Sequence, residues 1–144
     1  MIRQHQETIE VRSSRRGMME ITSLVEPVVA SSGVRSGLCV VFVRHTSASL
    51  VIQENADRSA RHDLETFLER LAPEDDPAYT HTLEGSDDMP AHLRSALTST
   101  SESIPVVDGR LALGTWQGLY LFEHRDRRTA RSLVIQVMGE SKAG

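Results

Sequence analysis

A short polar segment beginning at His45 carries residue types that bind anions. His45 is followed by Thr46, Ser47 and Ser49, so one imidazole and three hydroxyls stand close together in the chain. Hydroxyls, imidazoles and backbone N–H groups are suitable donors for a phosphate or a carboxylate, although Ser and Thr also serve simply as turn residues. We take all four as candidate ligand-binding residues, with His45 also a candidate for catalysis.

A second polar segment runs from His81 to His92 and contains two imidazoles and three carboxylates. The sequence predicts that a helix begins at Asp87-Asp88-Met89-Pro90, which places His92 in its first turn. A helix N-terminus disfavours a positively charged imidazole, so His92 is expected to offer a free nitrogen to a metal. One aspartate is expected to cap the helix, which leaves the other and Glu84 as acid/base or supporting groups.

A metal site built on His81 and His92 needs a further ligand, because their spacing matches no short zinc motif. His45 is the better candidate for this ligand than His124, which precedes Arg125 and two further arginines. Positive charge there would repel a divalent cation. His124 and Arg125 are therefore expected to contact an anionic ligand instead.

The single tryptophan, Trp116, lies with Gln117 in a short segment between Gly114 and Gly118. An aromatic ring in such a loop can stack on a planar ligand while the glutamine side chain bonds the edge of that ligand. It can equally cover the hydrophobic core. Trp116 and Gln117 are candidate ligand-binding residues on the first interpretation.

Composition sets limits on the protein class. The chain has 144 residues, of which 39% are hydrophobic, and this is typical of a globular domain that covers 1–144. Its net charge of −4 argues against broad binding to nucleic acid or to an anionic membrane. One cysteine excludes an internal disulfide, and no apolar run is long enough to span a membrane, so we expect a soluble, cytoplasmic protein.

Hydrophobic periodicity predicts strands at both ends of the chain and helices in the middle. A continuous apolar run, 38–43, indicates a central strand covered on both faces. The other predicted strands cover 6–12, 50–52, 104–107, 110–113, 119–124 and 133–138. Helices are predicted over 19–30, ending or interrupted near Pro27, over 57–71 with Asp57 as N-cap, and from 87 with Leu93, Ala96 and Leu97 buried. This order predicts an α+β fold with a largely antiparallel sheet.

The motifs together resemble the YjbQ-like family, described as secondary thiamine-phosphate synthases. The matching segments follow one another over nearly the whole chain: His45-Thr46-Ser47-Ala48-Ser49-Leu50, Glu54-Asn55-Ala56-Asp57, Asp87-Asp88-Met89-Pro90-Ala91-His92 and Gly114-Thr115-Trp116-Gln117. The resemblance implies a compact α+β subunit, a homotrimer, and an oxyanion site beside a divalent metal ion, zinc or magnesium. Carried over by position, the metal ligands are His45, His81 and His92.

Three functions are compatible with these residues. The resemblance implies that a pyrimidine diphosphate is joined to a thiazole phosphate with release of pyrophosphate. His45, Thr46 and Ser47 would then bind the anion, Trp116 and Gln117 would face the pyrimidine, and Glu84 or Asp87 would order the imidazoles. The second is metal-assisted hydrolysis of a small phosphorylated or glycosidic substrate. The third is a non-catalytic trimer that binds a small anionic metabolite.

Overall fold

The computed structural model describes residues 1–141 and consists of eight strands and three helices. The strands are β1 (Ile2–Ser13), β2 (Gly17–Glu20), β3 (Val34–Val43), β4 (Ala48–Glu54), β5 (Ser101–Val107), β6 (Arg110–Leu111), β7 (Gln117–Glu123) and β8 (Thr129–Ser141). The helices are α1 (Thr22–Ser32), α2 (Arg58–Leu71) and α3 (Asp88–Leu97). No helix within 1–141 has both the length and the apolar character needed to cross a membrane.

All of the strand pairs are antiparallel, which confirms the predicted α+β class. A five-stranded sheet has the order β1-β8-β3-β5-β6, and a three-stranded sheet has the order β2-β7-β4. The inner faces of both sheets and of α1 share one hydrophobic core. β7 ends near the polar segment that follows β3, and β8 begins near the same segment. Parts of the chain that are distant in the sequence therefore meet there.

β3 is central, as predicted, because it lies between β8 and β5. The prediction that both of its faces are covered is wrong. Cys39 and Val41 point into the core, whereas Phe42 is 45% exposed. Successive side chains on a strand point to opposite faces, and the outward face of this sheet is only partly covered.

The first predicted helix, 19–30, divides into two elements. Its first residues belong to β2, and α1 begins only at Thr22. Pro27 lies inside α1 and does not end it, since the helix continues to Ser32 and closes at Gly33 in a left-handed conformation. Burial of Val25, Val28 and Val29 in the core offsets the hydrogen bond that the proline cannot donate.

The helix predicted over 57–71 is confirmed as α2. The Asp57 side chain accepts a hydrogen bond from the Ser59 backbone at 2.9 Å, as an N-cap should. Its predicted apolar stripe is only partly buried, however. Leu68 is covered, whereas Phe67 and Leu71 are more than half exposed.

α3 begins where the sequence predicts, but it buries a different face. Pro90, Ala91, Arg94 and Ser95 are buried, whereas Ala96 and Leu97 are exposed. Polar contacts decide this orientation. The Arg94 guanidinium donates to carbonyl oxygens at the end of α2, and the Ser95 hydroxyl donates to the Ala48 carbonyl at 3.1 Å.

Candidate functional site

Three potential metal ligands converge at the start of α3. The Nε2 atoms of His81 and His92 lie 2.8 Å and 3.1 Å from the same carboxylate oxygen, Asp88 Oδ2. The two imidazole ring centres are 5.4 Å apart. Within residues 1–141, these three residues form the group whose ligand atoms all lie within 4.8 Å of one another.

Local structure explains how this group, the His81/Asp88/His92 cluster, is assembled. Asp88 is the first residue of α3, and His92 follows it by one helical turn on the same face. His81 reaches them from the loop that precedes α3. Asp88 is 4% exposed, whereas the side chain of His81 is 49% exposed, so the cluster has a buried base and an open side.

A backbone carbonyl fixes the proton of His92. Its Nδ1 lies 3.0 Å from the Thr46 carbonyl oxygen, which can only accept, so Nδ1 must carry the hydrogen. In a neutral ring Nε2 then has a lone pair, and that lone pair faces Asp88 Oδ2. Two lone pairs this close repel each other unless a proton or a cation lies between them. A histidine whose second nitrogen donates to a carbonyl is the usual arrangement of a metal ligand.

The donors of the cluster fit a zinc-type ion. Two imidazole nitrogens and one carboxylate oxygen suit zinc and its neighbours among the transition metals, whereas magnesium prefers oxygen ligands and water. Bonds of about 2.0–2.1 Å to a tetrahedral ion place its ligands roughly 3.3 Å apart. The observed separations of 2.8 Å and 3.1 Å need to widen only slightly to reach this. Of the two ions expected from the sequence, the residues favour zinc.

The other oxygen of Asp88 is held by Arg125. Arg125 Nη1 donates to Asp88 Oδ1 at 2.6 Å, and its Nε donates to Asp87 Oδ2 at 3.0 Å. Burial opposes the charged guanidinium, but its hydrogen bond to Asp87 and the charges of both aspartates raise the pKa of Arg125. Arg125 is thus a fixed cation behind the cluster. The sequence had indicated a ligand-binding role for it.

The two predicted acid/base carboxylates occupy different positions. Burial tends to raise the pKa of Asp87, but the hydrogen bonds from Arg125 and the Asp126 backbone lower it overall, so this carboxylate is held ionised. Asp87 does not cap α3 with its side chain. Glu84 is exposed, and its backbone carbonyl, not its carboxylate, accepts from Arg125 Nη2. The structure places Asp87 behind the His81/Asp88/His92 cluster, next to Arg125, and leaves Glu84 exposed.

His45 does not join the cluster. Its Nε2 accepts a hydrogen bond of 2.8 Å from the Ser132 backbone N–H on β8, so the proton of the neutral ring lies on Nδ1. Burial, followed by the charge of Arg131, lowers the pKa of His45. The third member of the group beside His81 and His92 is Asp88, a residue that the sequence suggested as a cap, an acid/base group or a supporting group.

A buried ion pair supports this edge of the fold. The carboxylate of Glu123, 1% exposed, accepts from Arg131, Thr129 and Ser13. Burial would raise the pKa of Glu123, but the hydrogen bonds from Arg131 and Thr129 lower it overall. Glu123 also accepts from the Arg125 backbone at 3.0 Å. This network links the end of β7 to the start of β8.

Arg131 extends the same network to the polar segment after β3. Its Nη2 donates to the Ser47 carbonyl at 3.2 Å. The main chain of Ser47 is thereby tied to the buried ion pair, while the main chain of Thr46 is tied to His92. The segment that carries the predicted anion-binding hydroxyls therefore has a fixed backbone.

Ser49 and His124 are in the interior. Both are fully buried, and His124 Nε2 lies 2.8 Å from Ser49 Oγ. Burial and, next, the charge of Arg94 lower the pKa of His124 to about 3. The ring therefore stays neutral and packs against Phe122 at a centroid distance of 4.5 Å. In this conformation, neither side chain faces the surface at which a ligand would arrive.

Trp116 and Gln117 lie far from the cluster within one chain. They stand at the start of β7, whereas Glu123, which contacts Arg125, stands at its end. Six residue steps along a strand span roughly 20 Å. Trp116 is 64% exposed, and the Gln117 side chain accepts from the Gly114 backbone, closing the turn. Within one chain, Trp116 and Gln117 therefore do not contact His81 or His92.

Sequence reasoning also missed a group of arginines that share a cleft with Glu123. Arg15 and Arg16 follow β1, and Arg58 and Arg61 lie at the start of α2, where they line one cleft together. A possible signal was the excess of arginine in two short segments. Only the fold could show that these segments face each other.

Comparison with known sequences connects the fold to a family. The sequence profile described as "UPF0047 protein YjbQ-like" matches residues 7–140. The chain is 55% identical over 138 residues to the UPF0047 protein sll1880 of Synechocystis sp., covering 96% of this chain and 94% of that protein. It is 39% identical over 137 residues to the UPF0047 protein YjbQ of Escherichia coli O157:H7, covering 94% and 99% of the two chains.

Solved structures have the same architecture. A YbjQ-like protein of unknown function from Sulfolobus solfataricus superposes with a TM-score of 0.89 at 28% identity, covering 97% of this chain and all of that one. The conserved hypothetical protein TT1486 from Thermus thermophilus gives a TM-score of 0.81 at 35% identity, covering 91% and 98%. The similarity thus extends through both sheets.

Proposed function

The chain belongs to the UPF0047 protein YjbQ-like family, and from its site we propose that it is a metal-dependent enzyme acting on phosphorylated small molecules. The observation that carries this proposal is the orientation of His92. Its Nδ1 proton is committed to the Thr46 carbonyl, and its Nε2 lone pair is directed at Asp88 Oδ2. This arrangement is stable when a cation or a proton occupies the gap.

His81, Asp88 and His92 would hold the ion, and their donors favour zinc over magnesium. When bound, such an ion supplies a Lewis acid that polarises a phosphate oxygen. Arg125 holds the second oxygen of Asp88, which keeps the first directed at the imidazoles. The exposed side of His81 gives a substrate access to the site.

His45 fits the role of an anion donor better than that of a ligand. Because its Nε2 accepts from Ser132, its Nδ1 carries a hydrogen that can be donated. Its lowered pKa keeps the ring neutral, so it contributes a hydrogen bond without a positive charge. With the hydroxyls of Thr46 and Ser47 it would bind phosphate oxygens beside His92, which contacts the Thr46 backbone.

The specific reaction that we propose is formation of thiamine phosphate. A pyrimidine diphosphate is joined to a thiazole phosphate, and the bond to pyrophosphate breaks. The leaving pyrophosphate gains negative charge, so hydrogen-bond donors fixed at its oxygens stabilise the transition state. The backbone of this segment is held by the Glu123–Arg131 pair and by His92, which supplies the rigidity that such donors require.

We propose a homotrimer in which the site is completed across subunits. Trp116 and Gln117 are separated from the cluster by the length of β7, so they can face the pyrimidine only from a neighbouring subunit. β1, twelve residues long, is an edge strand of its sheet, and long open edges are usually covered. Light scattering should give a mass near three times the 16.0 kDa of one chain.

Metal-assisted hydrolysis of a small phosphorylated or glycosidic substrate is a second candidate. The exposure of His81 favours it, because three protein ligands with an open side are typical of hydrolytic zinc sites. This candidate needs one organic substrate, whereas the synthase needs two.

One experiment separates these functions. The purified protein is stripped with a chelator and reloaded with zinc or magnesium. It is then given both thiamine precursors together or either one alone. Thiamine phosphate and pyrophosphate that appear only with both precursors support the synthase. Phosphate or pyrophosphate released from a single precursor supports hydrolysis. Binding of the precursors without turnover under either metal overturns both and leaves a metabolite-binding protein.

A further inference from the structure

A cleft of about 540 Å³ lies between the β1–β2 turn and the first turns of α2. No member of the His81/Asp88/His92 cluster lines it. Its walls carry an unusual number of cationic or potentially cationic side chains: Arg15, Arg16, Arg58, Arg61 and His62. Met18, Met19 and Leu121 form an apolar part of the lining. This volume is within the range of roughly 300–1,000 Å³ that small-molecule sites occupy.

The carboxylates in the cleft do not neutralise these arginines. Glu123 is already paired with Arg131 and accepts further hydrogen bonds from Thr129 and Ser13. Glu65 accepts a hydrogen bond of 3.0 Å from the Met18 backbone, and it adds one negative charge. The local charge is therefore positive in a chain whose net charge is −4.

Arg16 is the one arginine of the cleft that has carboxylate neighbours within 4.0 Å. Its Nε lies 3.6 Å from Glu69 and its Nη1 lies 3.8 Å from Glu74, and neither glutamate lines the cleft. Even when Arg16 is set aside, Arg15, Arg58 and Arg61 outnumber Glu65. The excess of positive charge does not depend on how Arg16 is counted.

Two buried nitrogens of these arginines lack a hydrogen-bond acceptor. Arg61 Nε is one of them, and Arg16 Nη1 is the other. The Arg61 guanidinium is held over the Tyr120 ring, 5.1 Å from its centre, so its orientation is fixed by packing. A buried donor without an acceptor destabilises the fold. Because solvent does not reach these two nitrogens, an oxyanion in the cleft would bind the remaining nitrogens of the two guanidinium groups.

We propose that this cleft binds the phosphate group of a small phosphorylated metabolite, at a site separate from the metal cluster. Guanidinium groups bind phosphate through paired, charge-assisted hydrogen bonds. Arg61 and Arg58 present such groups from one helix, and Arg15 presents another from the facing turn. The apolar part of the lining receives the organic portion of the ligand, so a phosphate ester binds more tightly than inorganic phosphate.

The test uses the whole protein in the presence of a chelator, so that binding at a metal cannot contribute. Isothermal titration with inorganic phosphate and with phenyl phosphate measures the two affinities. We expect one saturable site per chain and tighter binding of phenyl phosphate. Arg61→Gln should weaken binding at least about tenfold, the loss of a charged hydrogen bond. Arg15→Gln should also weaken binding, because Arg15 lines the cleft. It should not affect folding, because the Arg15 side chain is exposed.

The matched control is Arg70→Gln, which makes the same charge change in the last turn of α2, outside the cleft. Its affinity should equal that of the parent. His92→Ala should also bind like the parent, and this makes the result independent of the proposed enzymatic function. The proposal is overturned when the parent shows no saturable binding of either probe. It is also overturned when Arg70→Gln lowers the affinity as much as Arg15→Gln, or when Arg15→Gln and a folded Arg61→Gln both bind like the parent.

Discussion

His92 donates its Nδ1 proton to the carbonyl oxygen of Thr46 over 3.0 Å, although the two residues are 46 positions apart. This bond joins the polar segment after β3 to α3, one turn beyond its first residue. It also determines which nitrogen of His92 remains free, and that nitrogen faces Asp88. The proposed metal centre and the proposed anion donors therefore depend on one backbone contact.

Removal of His92 should abolish tight metal binding. The cluster offers three ligands, and loss of even a supporting contact to a metal ligand weakens binding by about 10–100-fold, so loss of a ligand should cost at least about 100-fold. Zinc titration of the chelator-treated protein measures this. His5→Ala is the control, because His5 pairs with Glu7 on β1, away from the cluster. Parental zinc affinity in His92→Ala would contradict the site.

Replacement of Arg125 should destabilise the fold. Its guanidinium is the counter-ion of Asp87 and Asp88, and all three side chains are mostly buried. Removing one partner of a buried ion pair leaves uncompensated charge, which costs about 3–5 kcal/mol. We expect Arg125→Gln to lower the free energy of unfolding by about 3 kcal/mol in urea titrations.

Arg127→Gln provides the comparison for Arg125. Arg127 is exposed in the same turn, and its substitution should change the free energy of unfolding by less than about 0.5 kcal/mol. Equal effects of the two substitutions would show that Arg125 is not a buried counter-ion. Zinc should restore part of the stability lost in Arg125→Gln, because a cation also compensates Asp88.

The residues that the sequence predicted well are those with local signals. Asp57 caps α2 because an aspartate before a helix meets its own backbone N–H groups, whatever the rest of the chain does. β3 is central, as its continuous apolar run indicated, although the run did not show that β8 and β5 are its neighbours. His81 and His92 meet because one precedes α3 and the other lies one turn into it. The cap of α2 and the meeting of the two histidines depend only on residues that are close in the sequence.

The third member of the cluster could not be predicted, because the position of His45 depends on a distant strand. His45 turns toward β8 because the Ser132 backbone offers it a hydrogen, and nothing near His45 in the sequence announces this. Asp88 had a signal, since it precedes His92 by four residues on a helix. Capping explained it equally well, and only the fold shows that Asp88 lies inside α3, with one oxygen held by Arg125 and the other facing the two imidazoles. The arginine-lined cleft likewise needs the β1–β2 turn to face α2.

Acidification should destabilise the protein through His124. Burial and the Arg94 charge lower the pKa of His124 to about 3 from 6.5. Between these two pKa values His124 is protonated in the unfolded chain and neutral in the folded chain. The free energy of unfolding therefore falls as the pH falls through this window. The slope should approach about 1.4 kcal/mol per pH unit. Urea titrations at several pH values should show a shallower slope for His124→Gln. An unchanged slope would contradict this assignment.

Complementation between inactive subunits should test the proposed shared site. Trp116 stands at the far end of β7 from the cluster, so a site that uses both Trp116 and His92 must draw them from two subunits. Trp116→Ala should mainly raise KM, because stacking acts on ground and transition states alike. His92→Ala should lose turnover. Each variant alone should therefore form little thiamine phosphate at low precursor concentration.

Mixed trimers should recover activity. In a trimer with both variants, some sites combine an intact His92 from one subunit with an intact Trp116 from its neighbour. Random assembly of equal amounts makes about a quarter of all sites intact, and about a third of the sites in the mixed trimers. Co-expression of differently tagged variants, followed by purification on both tags and assay at low precursor concentration, measures this recovery. Activity no greater than the mean of the two separate variants would place Trp116 outside the site that contains His92.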